Sequence, residues 1–302
     1  MKRLVISILC IFAYCTTIFA QINTDRVMLM GRNALYYEDY VLAIQRFNSV
    51  ISAKPYLAEP YFYRGLAKFY LEDYAGAETD CTFALNKRPY TAQYYTLRAL
   101  CRINMEMYEP AVSDYREAIH QNPIERNNWH NMVLCLMELE RYGEADAALD
   151  SMMQLWPRES SQCTMKAQVS LAKKDTTRAE EWVDSALVLD KYDGNAWSMK
   201  ASMFVKREEY GDAEDALDKA IVQKPRVPGL YINRALARFQ QNNIRGAMSD
   251  YDQAIEIDAN NYIAHHNRGL LRAQVGDDNR AIEDFDYVLS VEPDNMIALY
   301  NR

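Results

Sequence analysis

Punctuation is scarce in this chain. Ten glycines and nine prolines in 302 residues are too few turn signals for the many short strands of an all-β sandwich or barrel. Histidine is scarcer still: His120, His130, His265 and His266 are the whole set, and none stands in HExxH or another metal-ligand spacing. On a helix the adjacent His265 and His266 point to different faces, so they read as structural or surface residues and not as a shared metal site. No GxSxG, P-loop or GxGxxG occurs. With no such constellation, neither catalysis nor a metal or cofactor is expected. A basic tract is missing too, and the formal net charge is −8, so neither nucleic acid nor an anionic lipid surface suits the protein as a partner.

What is present first is an export layout. Met1-Lys2-Arg3 is basic, Leu4 to Ala20 is weakly polar or apolar throughout, and small Ala20 precedes Gln21. This is the arrangement of a signal peptide over residues 1–20, cut after Ala20. An uncleaved N-terminal anchor is the alternative, although 17 residues is short for a hydrocarbon core of about 30 Å. Either way the rest of the chain is exported, to the periplasm or cell envelope. Loss of Lys2 and Arg3 leaves 32 basic against 42 acidic residues, a net charge of −10. Of six cysteines, Cys81, Cys101, Cys135 and Cys163 stay in the mature chain without any CxxC, and they read as small apolar core residues.

A 34-residue period runs through everything that follows. Ala43, Ala77, Ala111, Ala145, Ala179, Ala213, Ala247 and Ala281 are each 34 residues apart. Twelve residues after them stand Pro55, Pro89, Pro123, Pro157, Pro225 and Pro293, with Lys191 and Ala259 as exceptions. Twelve before stand Gly31, Gly65, Ala99, Ala167, Ala201, Ala235 and Gly269, with Val133 alone larger. Four after stand Phe47, Cys81, Tyr115, Leu149, Val183, Leu217, Tyr251 and Phe285. The small columns let two helices approach closely, and the apolar set after the alanine makes one buried stripe. Each repeat is therefore a helical hairpin, ended by its proline and turned at pairs such as Glu72-Asp73, Asn242-Asn243 and Gly276-Asp277.

An aromatic near the start of five repeats (Tyr61, Tyr95, Trp129, Trp197, Tyr231), then Gly/Ala, Ala, a large apolar residue, Ala and Pro at this period resemble the tetratricopeptide repeat. The resemblance covers residues 24–295, eight tandem repeats without an insertion. It is weakest in the fifth, with Cys163 for the aromatic, Thr176 in a tyrosine column and Lys191 for the proline. Residues 296–302 read as the start of a truncated ninth repeat, with more protein expected beyond Arg302. The resemblance implies an all-α, right-handed α-solenoid of stacked antiparallel helical hairpins.

One pair of columns departs from the family. Arg64, Arg98, Arg234 and Arg268 replace its usual apolar residue, and Asp80, Asp114, Asp250 and Asp284 follow sixteen residues later. The complete repeats that carry Met30, Met132, Lys166 or Lys200 instead have no aspartate at that partner column. The economical expectation is a structural Arg–Asp bridge between the two helices of a repeat. An anion-binding stripe strengthened by Lys68, Arg102, Arg238 and Arg272 is the competing one.

The resemblance also implies a concave face lined by the first helices. By position its candidate partner-binding groove comprises Phe62, Leu66, Phe69 and Tyr70, then Leu100 and Ile103, then His130, Leu134 and Met137, and finally Ile232, Leu236, Phe239, His266 and Leu270. The family's Lys/Asn carboxylate clamp is absent, since those columns hold Met28, Phe62 and Thr96, and Arg32, Leu66 and Leu100. The resulting expectation is a protein- or peptide-binding scaffold of the cell envelope. A sensory or regulatory segment of a longer protein and an accessory polysaccharide-binding protein are the alternatives. The partner and the oligomeric state stay open.

Overall fold

The computed structural model describes residues 23–302, so the expected export signal, residues 1–20, lies outside the described residues. Seventeen α-helices and no strand occur among them. Two compact units divide the chain, Met1–Ala148 and Leu149–Arg302. The first holds α1 (Thr24–Tyr36), α2 (Tyr40–Ala53), α3 (Glu59–Tyr70), α4 (Tyr74–Lys87), α5 (Ala92–Asn104), α6 (Tyr108–Gln121) and α7 (Arg126–Glu138). The boundary falls within α8 (Tyr142–Leu155). The second unit continues with α9 (Ser160–Ala172), α10 (Thr176–Leu189), α11 (Gly194–Lys206), α12 (Tyr210–Gln223), α13 (Pro228–Gln240), α14 (Ile244–Ile257), α15 (Tyr262–Gln274), α16 (Asp278–Val291) and α17 (Met296–Asn301). In each unit, consecutive helices pack as antiparallel hairpins, and each hairpin packs on the next.

The turn inside every hairpin is the same device eight times over. Glu38, Glu72, Glu106, Glu140, Lys174, Glu208, Asn242 and Gly276 all have positive φ, between 57° and 80°, in the left-handed region. The next residue's N–H reaches back to a carbonyl five residues earlier, as from Asp73 to Lys68 (2.9 Å) and from Asn243 to Arg238 (2.8 Å), which satisfies an orphan carbonyl of the first helix. Asp39, Asp73, Asp175 and Asn243 then cap the second helix through their side chains. One short segment thus stops one helix and starts another.

Close approach of the two helices follows from the small column. A Cβ on Gly31 would lie 2.6 Å from Phe47 Cε1, and one on Gly269 would lie 2.9 Å from Phe285 Cε1. Where the facing ring is absent or placed differently, alanine fits, as at Ala201 beside Leu217 and Ala235 beside Tyr251. Between repeats, the early aromatic ties down the loop it follows. Tyr61 Oη donates to the carbonyl of Pro55, Trp129 Nε1 to Pro123, Trp197 Nε1 to Lys191 and Tyr231 Oη to Pro225, each six residues back. Lys191 keeps this bond although it replaces the proline, and α9 and α10 have the lengths of their counterparts. The fifth repeat is as regular as the others. Cys81, Cys101, Cys135 and Cys163 are buried and free.

Candidate functional site: the first-helix face and its charge clusters

Every aspartate of the Arg–Asp columns is buried, 1–3% exposed. Each accepts two parallel bonds from its arginine, Nε to Oδ2 and Nη2 to Oδ1, at 2.5 to 3.0 Å. Lys68, Arg102, Arg238 and Arg272, one turn further along the first helix, converge on the same carboxylates at 2.8 to 2.9 Å. The third arginine nitrogen, Nη1, reaches back sixteen residues to the preceding repeat: Asn48, Thr82, Asp218 and Asp252 accept it at 2.6 to 3.1 Å. One guanidinium therefore joins three helices across two repeats.

The rearward partners are the feature that reading the columns two at a time misses. Asp150, Asp184, Asp218, Asp252 and Asp286 recur at the repeat period. Lys166 and Lys200, which lack a forward aspartate, bind Asp150 and Asp184 at 2.6 Å. Arg102 and Arg238 also bind Glu78 (2.8 Å) and Glu214 (2.7 Å) of the preceding repeat. In repeats 3, 7 and 8 each cluster thus holds at least as many carboxylates as cations, which leaves no surplus positive charge for an anion. Burial works against the charge on Arg98, Arg234 and Arg268, but bonds to Asp114, Asp250 and Asp284 outweigh it and raise all three above the ordinary arginine range. His265 occupies the early aromatic column: Nδ1 lies 3.0 Å from Asp284 Oδ1, Nε2 lies 3.3 Å from the Ala259 carbonyl, and the ring stacks on Tyr287. No cluster of metal-ligating side chains occurs among the described residues.

The predicted groove residues are placed unequally. Ile232 is 7% exposed and lies inside a core cluster with Ala235, Ala247 and Tyr251, so it is a packing residue and not part of a lining. Phe62 is half-buried: it bridges two core clusters and lies 4.8 Å from the Tyr94 ring, which makes it mainly an inter-repeat wedge. Leu66 and Phe69 are half-buried beside it, whereas Tyr70 is exposed and stacks on Tyr40 at 5.1 Å. Leu100, Ile103 and Met137 are half-buried, and His130 and Leu134 are exposed. In the second unit Leu236 and Leu270 are exposed, 40% and 36%, with Phe239 half-buried between their helices. His266 is half-buried and its Nδ1 has no partner.

Leu236, Phe239 and Leu270, with Tyr251, Leu271, Asn267 and Gln274, line a depression of about 310 Å³ between α13 and α15. A second one, about 190 Å³, adjoins it through Leu236 and is lined by Ala201, Ser202, Val205, Lys206, Leu217 and Asn233. The side chains that make this strip belong chiefly to first helices of consecutive repeats.

Two segments match family models: residues 92–124 match the tetratricopeptide repeat, and residues 235–276 match the TPR repeat. The chain carries tetratricopeptide repeats. Among solved structures, a chain of the APC/C hetero-tetramer Cut9-Hcn1 superposes with a TM-score of 0.62 at 11% identity, over 94% of this chain and 56% of that one. A crystal structure of MamA protein gives 0.53 at 15% identity, over 56% and 92%, and the MamA MSR-1 C2 structure gives 0.50 at 18%, over 56% and 98%. At these identities the likeness is one of fold. The chain spans little more than half the length of the Cut9-Hcn1 chain that it matches. No curated protein matches it in sequence.

Proposed function

We propose that this tetratricopeptide repeat protein is a scaffold of the cell envelope that binds a protein or peptide along its first-helix face, without catalysis of its own. The observation that carries the reading is the strip around Leu236. Exposed Leu236 and Leu270 and half-buried Phe239 offer apolar anchors, while the amides of Asn233, Asn267 and Gln274 stand beside them. An extended peptide needs both: pockets for alternate side chains, and donors and acceptors for its main chain. The larger depression is lined by apolar side chains, a tyrosine and neutral amides, which suits an apolar segment over an anion. Export rests on the layout of residues 1–20; among the described residues no helix is long and apolar enough to cross a membrane.

Residues 21–302, immobilised and exposed to an envelope extract, should retain specific proteins that the Leu236→Glu/Leu270→Glu double variant does not. Recovery of no protein, or of the same set by both baits, would overturn the proposal. A second reading is favoured by Tyr56 and Tyr90, 68% and 89% exposed and one repeat apart in the first unit, which could stack on sugar rings. Binding on a glycan array that Tyr56→Ala/Tyr90→Ala abolishes would favour an accessory polysaccharide-binding role.

A further inference from the structure

Cys81 on α4 and Cys101 on α5 occupy a place that elsewhere is an ordinary packing contact between consecutive repeats. The two columns are twenty residues apart, and their members share a core cluster at Phe47 and Ala67, at Val183 and Met203, and at Tyr251 and Leu271. At the same register Cys81 and Cys101 share a cluster with Ala77 and Leu97, both fully buried, and both carry free thiols. Each of those pairs includes at least one large side chain, Phe47, Met203 or Tyr251, whereas here two small side chains meet, each ending in sulfur. Cys135 has no such counterpart, since its partner at this register is Tyr115, and Cys163 stands in neither column.

We infer that Cys81 and Cys101 are the site of an intramolecular disulfide that staples the second repeat to the third. This goes beyond the binding role proposed above and does not depend on it. The oxidant is a low-molecular-weight disulfide such as oxidised glutathione. A thiolate of one cysteine attacks it, forms a mixed disulfide and releases one glutathione thiolate. The second cysteine then attacks the protein sulfur of that mixed disulfide, closes Cys81–Cys101 and releases the other glutathione. Two cysteine sulfurs are oxidised, one glutathione disulfide is reduced to two thiols, and the two cysteine protons end on the glutathiones.

Burial controls when this happens. Interaction with the Cys101 thiol and then desolvation hold the Cys81 thiol far above its ordinary range, so the folded reduced protein has almost no thiolate there. The bond must therefore form while the chain is folding, or when the boundary between repeats 2 and 3 opens.

The test is to refold the full chain in a glutathione redox buffer, quench with acid and digest with trypsin without reduction. The expected product joins peptide 69–87, which holds Cys81, to peptide 99–102, which holds Cys101, at 2 Da below the sum of the reduced peptides. The oxidised protein should melt several degrees above the same protein kept reduced, because closing a loop of about twenty residues restricts the unfolded chain. Cys101→Ala, which places at that position the residue that serves at Ala67, should abolish both the cross-linked peptide and the difference in Tm. Only reduced Cys81 and Cys101 peptides after refolding, Cys81 paired with another cysteine, or an oxidised form that melts at or below the reduced one would overturn the inference. The peptide map needs wild-type protein alone, so a variant that fails to fold leaves the question decidable.

Discussion

Arg98 grips Asp114 with two parallel bonds, Nε to Oδ2 at 2.9 Å and Nη2 to Oδ1 at 2.7 Å, while its remaining nitrogen holds Thr82 of the repeat before. Asp114 is 3% exposed, so this is a buried pair whose worth lies in what its removal would strand. Arg98→Leu should lower stability by about 3 kcal/mol, the low end of the range for breaking a buried pair, because Arg102 still neutralises the carboxylate. Chemical denaturation with an unchanged m-value checks it. A loss under 1 kcal/mol, the scale of an exposed pair, would mean that the cluster is not structural.

Gly31 tells how tightly a hairpin is closed. Its added Cβ would meet the Phe47 ring, itself fully buried, so Gly31→Ala should cost about 1–3 kcal/mol by overpacking. Phe47→Leu on top of it reproduces the Ala201 and Leu217 pairing of the sixth repeat. The double variant should be less destabilised than the sum of the two single changes, a coupling that a double-mutant cycle reads directly.

The turn column makes an opposite pair of forecasts. A non-glycine residue in the left-handed region costs roughly 1–2 kcal/mol, against roughly 0.5–1 for the greater freedom glycine has when unfolded. Glu106→Gly should therefore raise stability by about 0.5–1 kcal/mol, and Gly276→Ala should lower it by a similar amount. Thermal unfolding of both variants measures the signs, and two changes of the same sign would contradict the argument.

Acid should expose His266. Burial holds its imidazole below the ordinary 6.5, with Glu292 opposing in part, and its Nδ1 has no partner. The folded state then binds a proton less readily than the unfolded chain. Its contribution is complete above pH 6.5 and is lost as pH falls toward the depressed folded value. Between about pH 7 and 5 the wild type should lose more stability than His266→Gln, measured by denaturation at each pH. Equal losses would show that His266 does not contribute to the pH dependence.

Much of the architecture is visible in one dimension because a 34-residue register repeats every local cause of structure. Proline after a helix, small residues where helices meet, and aspartate at a turn act over a few residues, so their effects need no knowledge of distant neighbours. The Arg and Asp columns belong to this class: they appear and vanish together within single hairpins. The fifth repeat lost several of these marks yet folded like the rest, since packing on neighbours overrides weak local preference.

Contacts between repeats were harder to see. The sixteen-residue rearward bond from Arg98 to Thr82, the second cation on each aspartate, and His265 serving in an aromatic column join residues whose meeting depends on how one hairpin leans on the next. The same cause sorted the first-helix face: Ile232 went inward and Leu236 stayed outside, though both are apolar residues on one helix. Sequence alone determined that 34-residue hairpins would form, where they turn and which of their columns carry charge. Tertiary structure decided which side chains remain free to meet a partner, because burial depends on the angle at which the neighbouring hairpin arrives, and composition does not encode that angle.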